Sequence, residues 1–260
     1  MTEIELTIQL VQRAGEHLVS SQQADITTQT KGTDPKDLLT QMDVEIESLL
    51  INGIRSAFPT DAIHSEETPL DISQQARVWV IDPIDGTANF SRHIPHFAIC
   101  LGLIEQGVPV LGAIYNPITR ELFHFEKGKG AFLNHQPIQV SLVMELAQAH
   151  VFFHAGRKAE IRNWGGESYR RLLGSVKKTS NFSGSALDIC FVAAGRIEAA
   201  VYGTLSTLDI APALGLLAEA GGTACDVSGM PLTYSSAPQM AFMTNSEKMS
   251  QAMRDLLANT

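Results

Sequence analysis

Apolar residues recur at helical spacing at the amino-terminal end of the chain. The positions that set this period are Ile4, Ile8, Val11 and Leu18. They predict an amphipathic helix over residues 3 to 20. Thr2 and Glu5 have the spacing of a capping box, which would satisfy the first backbone N–H groups of that helix.

A second helical pattern follows a polar segment. Residues 25–36 include Gly32 and Pro35 and predict a loop, which carries Lys31. Beyond this loop, apolar residues at helical spacing continue to Ile54 and predict a helix that Asp43 could cap.

The middle of the chain changes to short apolar runs with β-branched residues, which are typical of strands. They cover residues 78–81, 98–104, 108–115, 121–125 and 130–133. The short turns between several of these runs favour hairpins within one mixed sheet.

The last part of the chain again mixes helices and strands. Strands are predicted at residues 151–153 and 198–202, and helices at 164–174, 184–194 and 209–220. This alternation predicts a layered α/β fold. We expect an amino-terminal lobe over residues 1–141 and a carboxy-terminal lobe over residues 142–260, packed as a single compact unit.

Composition narrows the possible partners and compartment. The chain has 260 residues, 44% of them hydrophobic, and a formal net charge of −9, which disfavours nucleic acid and anionic membrane surfaces as partners. Three scattered cysteines favour reduced thiols. Acids at Glu3 and Glu5 stand where a signal peptide needs basic residues, so we expect a cytoplasmic protein.

Two aspartates end the apolar run at 78–81. Asp82 precedes Pro83, which favours an extended backbone, and Asp85 precedes Gly86 in a common turn dipeptide. The carboxylates suit Mg²⁺, and backbone N–H groups at the following turn suit a phosphate. The alternative interpretation is an ordinary surface turn.

Further acids favour the metal interpretation. Glu66 follows the second predicted helix, and Asp209 stands at the start of a predicted apolar helix. Glu66, Asp82, Asp85 and Asp209 would repel one another in a dry cleft unless cations neutralised them. With two Mg²⁺ ions such a site can polarise a phosphate and activate a water molecule for in-line attack.

These motifs resemble the inositol monophosphatase family of Mg²⁺-dependent, lithium-sensitive phosphatases. The resemblance rests on the segment Asp82-Pro83-Ile84-Asp85-Gly86-Thr87, the pair Glu66-Glu67, and Asp209 followed by Glu219-Ala220-Gly221-Gly222. Weaker matches are Lys31, Asp37, residues 39–43 and Gly184-Ser185-Ala186, which resembles the substrate loop of the family. The resemblance implies a five-layered αβαβα sandwich and a homodimer.

The resemblance also implies roles for individual residues. Glu66, Asp82 and the Ile84 carbonyl would hold one Mg²⁺ and Asp82, Asp85 and Asp209 a second, with Glu66 facing a looser third. Gly86 and Thr87 would receive the phosphate on their N–H groups. Thr87 and Asp43 would pair beside the attacking water, which Glu66 would activate. Lys31 and Glu67 would support the site, and Asp43 has the alternative role of a helix cap.

The leaving-group side departs from the family pattern. In a gap-free alignment from Asp209, Tyr202 replaces a glutamate that contacts sugar hydroxyls, and Leu208 replaces a tryptophan. A phenol offers one polar group and a flat face, which suits an aromatic or less hydroxylated leaving group. The alternative is that a gap shifts the alignment.

The sequence therefore predicts a Mg²⁺-dependent phosphoric monoester hydrolase that acts on a small phosphorylated metabolite similar to inositol 1-phosphate. Alternative substrates are fructose 1,6-bisphosphate, histidinol phosphate and a 3′-phosphonucleotide. A regulatory binding protein that retains the phosphatase fold is the non-enzymatic alternative.

Overall fold

A computed structural model describes residues 1–21, 28–30, 38–65, 68–72, 75–156 and 159–258. The helices in these ranges are α1 (Glu3–Ser21), α2 (Gln41–Ala57), α3 (Thr87–Phe90), α4 (Ala159–Ser175), α5 (Ser185–Ala193), α6 (Ala211–Glu219) and α7 (Glu247–Leu257). A short 3₁₀ helix covers Leu146–Gln148.

The first strands form two sheets. The strands β1 (Thr28–Thr30) and β2 (Leu38–Thr40) pair antiparallel with each other. A seven-stranded sheet contains, in spatial and sequence order, β3 (Ala62–Ser65), β4 (Arg77–Asp85), β5 (Ala98–Glu105), β6 (Val108–Asn116), β7 (Glu121–Glu126), β8 (Gly130–Leu133) and β9 (Gln136–Ile138). Its strands are antiparallel except for the parallel pair β3–β4.

The remaining strands form a five-stranded sheet in the order β11-β10-β12-β14-β13. They are β10 (His150–His154), β11 (Lys178–Ser180), β12 (Ala199–Leu205), β13 (Thr223–Cys225) and β14 (Gln239–Thr244). The strand β10 runs parallel to its neighbours β11 and β12. Parallel neighbours need crossover connections, and helices α4 and α5 lie in the chain between these strands.

Helices and sheets alternate in five layers. Side chains of α1 and α2 pack on one face of the seven-stranded sheet around Trp79 and Ile99. Helices α5 and α6 fill the space between the two sheets, and α4 and α7 cover the outer face of the five-stranded sheet. The αβαβα sandwich predicted from the sequence is thus confirmed.

Two glycines bring α6 close to the seven-stranded sheet. A Cβ atom on Gly102 of β5 would lie 2.7 Å from Pro212 Cγ, and one on Gly112 of β6 would lie 2.9 Å from Pro212 Cβ. Real Cβ atoms do not approach other atoms that closely, so larger residues at either position would push α6 away. Because Asp209 lies two residues before α6, this packing sets its height above the sheet.

The structure confirms the predicted capping box and most predicted elements of the first 140 residues. Thr2 N–H donates to Glu5 Oε2 at 2.7 Å and Glu5 N–H to Thr2 Oγ1 at 3.3 Å. The loop predicted at 25–36 is partly wrong, because Thr28–Thr30 forms β1. The helix predicted at 209–220 begins at Ala211, where Pro212 occupies the first turn.

Two further points concern membrane-spanning helices and the predicted boundary between lobes. No helix in the described ranges is long and apolar enough to span a membrane. The division into lobes at residues 141 and 142 stays a prediction, and it falls between Ile138, where the seven-stranded sheet ends, and His150, where the five-stranded sheet begins.

Candidate active site

A β-bulge turns two aspartates of β4 to the same side of the seven-stranded sheet. Asp82 pairs with Cys100 of β5 but Asp85 pairs with Ala98, so β4 has one more residue than β5 in this interval. In a regular strand, residues three apart point to opposite faces. The bulge removes this restriction, and Asp85 reaches α5 on the face where Val78 and Val80 pack against Leu208.

The turn after the bulge is held by local hydrogen bonds. Ile84 N–H donates to Asp82 Oδ1 at 3.1 Å, and the Thr87 hydroxyl donates to the Ile84 carbonyl at 3.0 Å. Gly86 has φ 89°, and a Cβ atom there would lie 3.0 Å from the His96 carbonyl oxygen. Glycine is therefore required at this turn. Gly86 and Thr87 are partly exposed, so the turn is open to solvent.

Asp43 approaches this turn from the other side of the sheet. It is fully buried in the first turn of α2, and Thr87 Oγ1 lies 3.5 Å from its Oδ1 atom. That separation is at the outer limit of a hydrogen bond. The structure thus places the predicted Asp43–Thr87 pair together, with Thr87 more strongly bound to Ile84.

Asp209 enters from the turn between β12 and α6. Ser206 Oγ donates to its Oδ2 atom at 2.5 Å, and His64 Nε2 lies 3.4 Å from its Oδ1 atom. Burial opposes the charged carboxylate, but the contacts with His64 and Ser206 outweigh it and lower the pKa of Asp209. The carboxylate is therefore held in its charged form, which is the form that binds a cation.

The amino terminus of α5 holds the third carboxylate. Ser185 Oγ donates to Asp85 Oδ1 at 2.6 Å and Ala186 N–H donates to Asp85 Oδ2 at 3.0 Å. Burial raises the pKa of Asp85 to about 6, although both hydrogen bonds lower it; the charge of Asp188 raises it further. Asp85 therefore pays a desolvation cost that a bound cation would offset.

Cys100 of β5 pairs with Asp82 of β4, and its thiol is influenced by the carboxylates of Asp82, Asp85 and Asp209. Burial raises the pKa of Cys100 well above its ordinary value, and the charges of Asp82, Asp85 and Asp209 raise it further. One side chain of β5 thus senses the acids from β4 and from the turn before α6. Asp82, Asp85 and Asp209 thus lie on the same face of the seven-stranded sheet.

The donors fit Mg²⁺ by their chemistry, because carboxylates and a backbone carbonyl are the hard oxygen ligands that this ion prefers. Within the described ranges, no three His, Cys, Asp or Glu side chains are already close enough together to hold an ion. The predicted ligand Glu66 and the supporting residues Lys31 and Glu67 lie outside the described residues, as does Asp37.

Tyr202 lies in the interior rather than on an open pocket wall. It is 4% exposed, its hydroxyl donates to Asp188 Oδ2, and its ring stacks on His154 with centroids 5.4 Å apart. Its contact with a leaving group stays a prediction, but the structure already gives the hydroxyl a partner. Burial raises the pKa of Tyr202 well above its ordinary value, and the charge of Asp188 adds to this.

Sequence reasoning did not identify Asp188 or Ser206 as functional candidates. Asp188 is an acid within the apolar helix predicted at 184–194, and it is buried against His96 and Tyr202. A charged residue at a core position is a signal that it has polar partners, because an unpaired buried charge is costly. That signal could have identified Asp188. Ser206 carries no comparable signal.

Comparisons with known proteins identify the family to which this chain is similar. Residues 2–258 match the sequence profile of the inositol monophosphatase family. An inositol-1-monophosphatase of Bacillus subtilis (strain 168) is 34% identical over 236 residues, which cover 90% of this chain and 89% of the relative. A fructose-1,6-bisphosphatase/inositol-1-monophosphatase of Thermotoga maritima is 31% identical over 229 residues, or 88% of this chain and 86% of the relative.

The fold also matches a solved structure over its full length. An inositol monophosphatase from Thermotoga maritima superposes with a TM-score of 0.90, covering 100% of this chain and 98% of its own, at 28% identity. The layered architecture and the sequence profile therefore agree along the whole chain.

Proposed function

The chain belongs to the inositol monophosphatase family and is a phosphoric monoester hydrolase, and from this premise we propose that it hydrolyses a small phosphate monoester with the help of Mg²⁺. The observation that carries the proposal is the bulge in β4, which brings Asp82 and Asp85 to the side of the sheet where Asp209 also lies. Three carboxylates gathered without a cation would repel one another.

The proposed metal ligands are Asp82, Asp85, Asp209, the Ile84 carbonyl and Glu66. When bound, Mg²⁺ supplies charge neutralisation, polarisation of the phosphate and a water molecule of lowered pKa. The hydrogen bonds from Ser185 and Ala186 orient Asp85. The hydrogen bond from Ser206 and the ion-pair contact with His64 orient Asp209. Partners of this kind fix the direction of metal-binding carboxylates.

The remaining residues position the phosphate and the attacking water. The partly exposed Gly86–Thr87 turn presents backbone N–H groups to the phosphate, and the Thr87 hydroxyl is fixed by the Ile84 carbonyl. We propose that Asp43 and Thr87 hold the attacking water and that Glu66 accepts its proton. No covalent nucleophile is needed, since phosphoryl transfer depends mainly on position and charge.

We propose a substrate similar to inositol 1-phosphate. Fructose 1,6-bisphosphate is the second candidate, because the Thermotoga maritima relative carries both activities in its name. Histidinol phosphate and a 3′-phosphonucleotide complete the panel that should be assayed. Comparing kcat/KM across these esters identifies the substrate, and a value of about 10⁴ M⁻¹s⁻¹ or more for one ester would mark hydrolysis as the selected function.

Metal dependence is the direct test of the proposal. Phosphate release should require Mg²⁺, cease with EDTA, and fall about 100-fold in Asp82→Asn and in Asp85→Asn, since each variant removes a charged ligand. Asp255→Asn removes the same charge from the exposed face of α7 and should retain full activity. Unchanged hydrolysis in Asp82→Asn and Asp85→Asn would refute the proposed metal site.

Two further proposals come from the family resemblance. We propose inhibition by Li⁺, measured as a dose–response curve at fixed Mg²⁺, and a homodimer, measured by light scattering of the eluted protein. Absence of Li⁺ inhibition would remove only the lithium proposal, and a monomeric mass would remove only the dimer.

A further inference from the structure

A second polar cluster lies directly behind the candidate site. It consists of Asp188, His96 and Tyr202, which are all buried, and we call it the Asp188 cluster. His96 Nε2 lies 2.8 Å from Asp188 Oδ1, and the Tyr202 hydroxyl donates to Asp188 Oδ2. Both carboxylate oxygens therefore have a partner, as a buried carboxylate requires.

The Asp188 cluster joins three separate parts of the fold. His96 lies between α3 and β5 of the seven-stranded sheet, Asp188 lies in α5, and Tyr202 lies in β12 of the five-stranded sheet. Asp188, in the helical layer, thus has one partner from the segment before β5 and one from β12 of the five-stranded sheet.

Other contacts hold the same junction closed. Asn89 Nδ2 donates to the carbonyl oxygens of His96 and Phe182, both at 2.7 Å. A Cβ atom on Gly184 would lie 2.7 Å from the His96 ring, so the segment before α5 passes directly over that ring. The residues around the Asp85 turn and the beginning of α5 are therefore locked together.

This junction determines where α5 begins. Asp188 N–H donates to the Gly184 carbonyl at 2.9 Å and closes the first turn of the helix. The same turn supplies Ser185 Oγ and Ala186 N–H, the two donors to Asp85. Any displacement of Asp188 would therefore move both donors.

We propose that Asp188 is a positioning residue: held by His96 and Tyr202, it fixes the amino terminus of α5 so that Ser185 and Ala186 hold Asp85 in its metal-binding orientation. This role rests on the proposed function of Asp85. It also gives Tyr202 a function that does not depend on touching the substrate, because its hydroxyl acts through Asp188.

Hydrogen exchange and metal binding test this role independently of turnover. In Tyr202→Phe, Asp188 loses one partner while ring volume is kept. We expect exchange of the Ala186 amide in metal-free protein to accelerate about tenfold and the Kd for Mg²⁺, measured by calorimetry, to rise about tenfold. In the assay, the Mg²⁺ concentration for half-maximal rate should rise in parallel, while the KM for the phosphate ester at saturating Mg²⁺ changes less than twofold.

Two further variants separate positioning from general destabilisation. Ser250→Ala removes a buried hydroxyl that contacts Cys225 at the outer face of the five-stranded sheet. This variant should leave the exchange of the Ala186 amide and the binding of Mg²⁺ unchanged. Asp188→Asn keeps an acceptor for Tyr202 and should show smaller changes than Asp188→Ala.

The outcomes of these experiments are distinct. Equal Ala186 exchange and equal Mg²⁺ affinity in Tyr202→Phe and Ser250→Ala would overturn the positioning role. A wild-type protein that binds no Mg²⁺ and hydrolyses no ester would refute the proposed function instead, while altered Ala186 exchange in Tyr202→Phe would still show that the cluster fixes α5.

Discussion

Two groups of carboxylates lie next to each other in this fold, and their charges are compensated differently. The first group contains Asp82, Asp85 and Asp209, three acids whose charges all raise the pKa of the Cys100 thiol. The second contains the single acid Asp188, which has His96 on one oxygen and Tyr202 on the other. The first group therefore places three negative charges near one another, whereas the second gives a single carboxylate one partner for each oxygen.

This difference predicts that loss of a carboxylate has different consequences for activity and for stability in the two groups. In the first group the protein supplies hydroxyl and amide donors that orient the acids, but three negative charges remain together and favour a bound cation. In the second group the local donors satisfy the carboxylate, and loss of either donor leaves a buried oxygen unpaired. Substitutions in the first group should therefore affect activity most, and those in the second should affect structure first.

The largest effect is expected for Asp209→Asn. Loss of this proposed metal ligand should lower kcat/KM about 100-fold. Asp188→Asn should lower it about tenfold or less, because in our proposal Asp188 acts through Asp85. Steady-state kinetics at saturating Mg²⁺ measure both, with Asp255→Asn as the control for a lost surface charge. Equal losses in Asp209→Asn and Asp188→Asn would show that the two groups form one functional unit.

A packing change should separate the acids without removing any of them. In Gly102→Ala the new methyl group would lie 2.7 Å from Pro212 Cγ and 3.0 Å from the Leu111 carbonyl oxygen. Displacement of α6 should cost about 1–3 kcal/mol of unfolding free energy and weaken Mg²⁺ binding, since Asp209 precedes this helix. Denaturant unfolding measures the first and calorimetry the second.

The control for this packing change is Gly166→Ala in α4. Gly166 is exposed, and a Cβ atom there meets nothing within 4 Å. This variant should gain about 0.5–1 kcal/mol of stability through helix propensity alone. Undiminished stability and Mg²⁺ affinity in Gly102→Ala would show that the packing of α6 on Gly102 does not determine the position of Asp209 relative to Asp82 and Asp85.

The first group of carboxylates was largely predictable from the sequence, because its residues stand at breaks in the apolar pattern. Asp82 and Asp85 end an apolar strand, and Asp209 precedes an apolar helix. The bulge that brings Asp82 and Asp85 to one face was not predictable, since it depends on the pairing of β4 with β5. A regular strand would have separated them.

The second group depends on contacts between distant segments. Asp188 and Tyr202 are 14 residues apart, and His96 lies 92 residues before Asp188. Hydrophobic periodicity identified α5 and part of β12, but it contains no information on which elements meet. For the same reason the hairpins of the seven-stranded sheet were predicted well, whereas β11, β13 and β14, which pair with distant strands, received no prediction. Helix α7 also received no prediction, although Met249, Met253 and Leu257 recur at helical spacing.

A smaller effect should appear in the stability of the metal-free protein. Asp85→Asn removes one of three neighbouring charges and retains an acceptor for Ala186 N–H, so it should raise unfolding free energy in EDTA by about 1–2 kcal/mol. For a chain of this size that corresponds to about 2–6 °C in Tm. Asp188→Asn should lower Tm under the same conditions, measured by calorimetry. A fall in Tm for Asp85→Asn would contradict the view that the first group carries excess charge.

The smallest effect concerns a buried polar atom that belongs to neither group. His124 Nε2 in β7 has no hydrogen-bond partner among the described residues, and its ring stacks on Phe132 with centroids 5.1 Å apart. Burial lowers the pKa of His124 to about 4, the charge of His135 lowers it further, and Glu126 opposes this. The ring is therefore buried in its neutral form, because the charge of Glu126 does not offset burial and the charge of His135.

The sign of the resulting pH dependence follows from the lowered pKa. Below about pH 6.5 the unfolded chain binds a proton at His124 that the folded protein accepts only near pH 4, so this residue's contribution to stability is complete above pH 6.5 and is lost as the pH falls towards 4. Because the ring is partly exposed, we expect a loss of about 1 kcal/mol of unfolding free energy between pH 7.5 and pH 5.

His124→Phe keeps the stacking on Phe132 and should remove this part of the pH dependence, as measured by denaturant unfolding at both pH values. The exposed His93, changed to Asn to suit its φ of 58°, serves as the control and should leave the dependence intact. If His124→Phe loses as much stability on acidification as the parent protein, burial of His124 does not contribute to the pH dependence of the unfolding free energy.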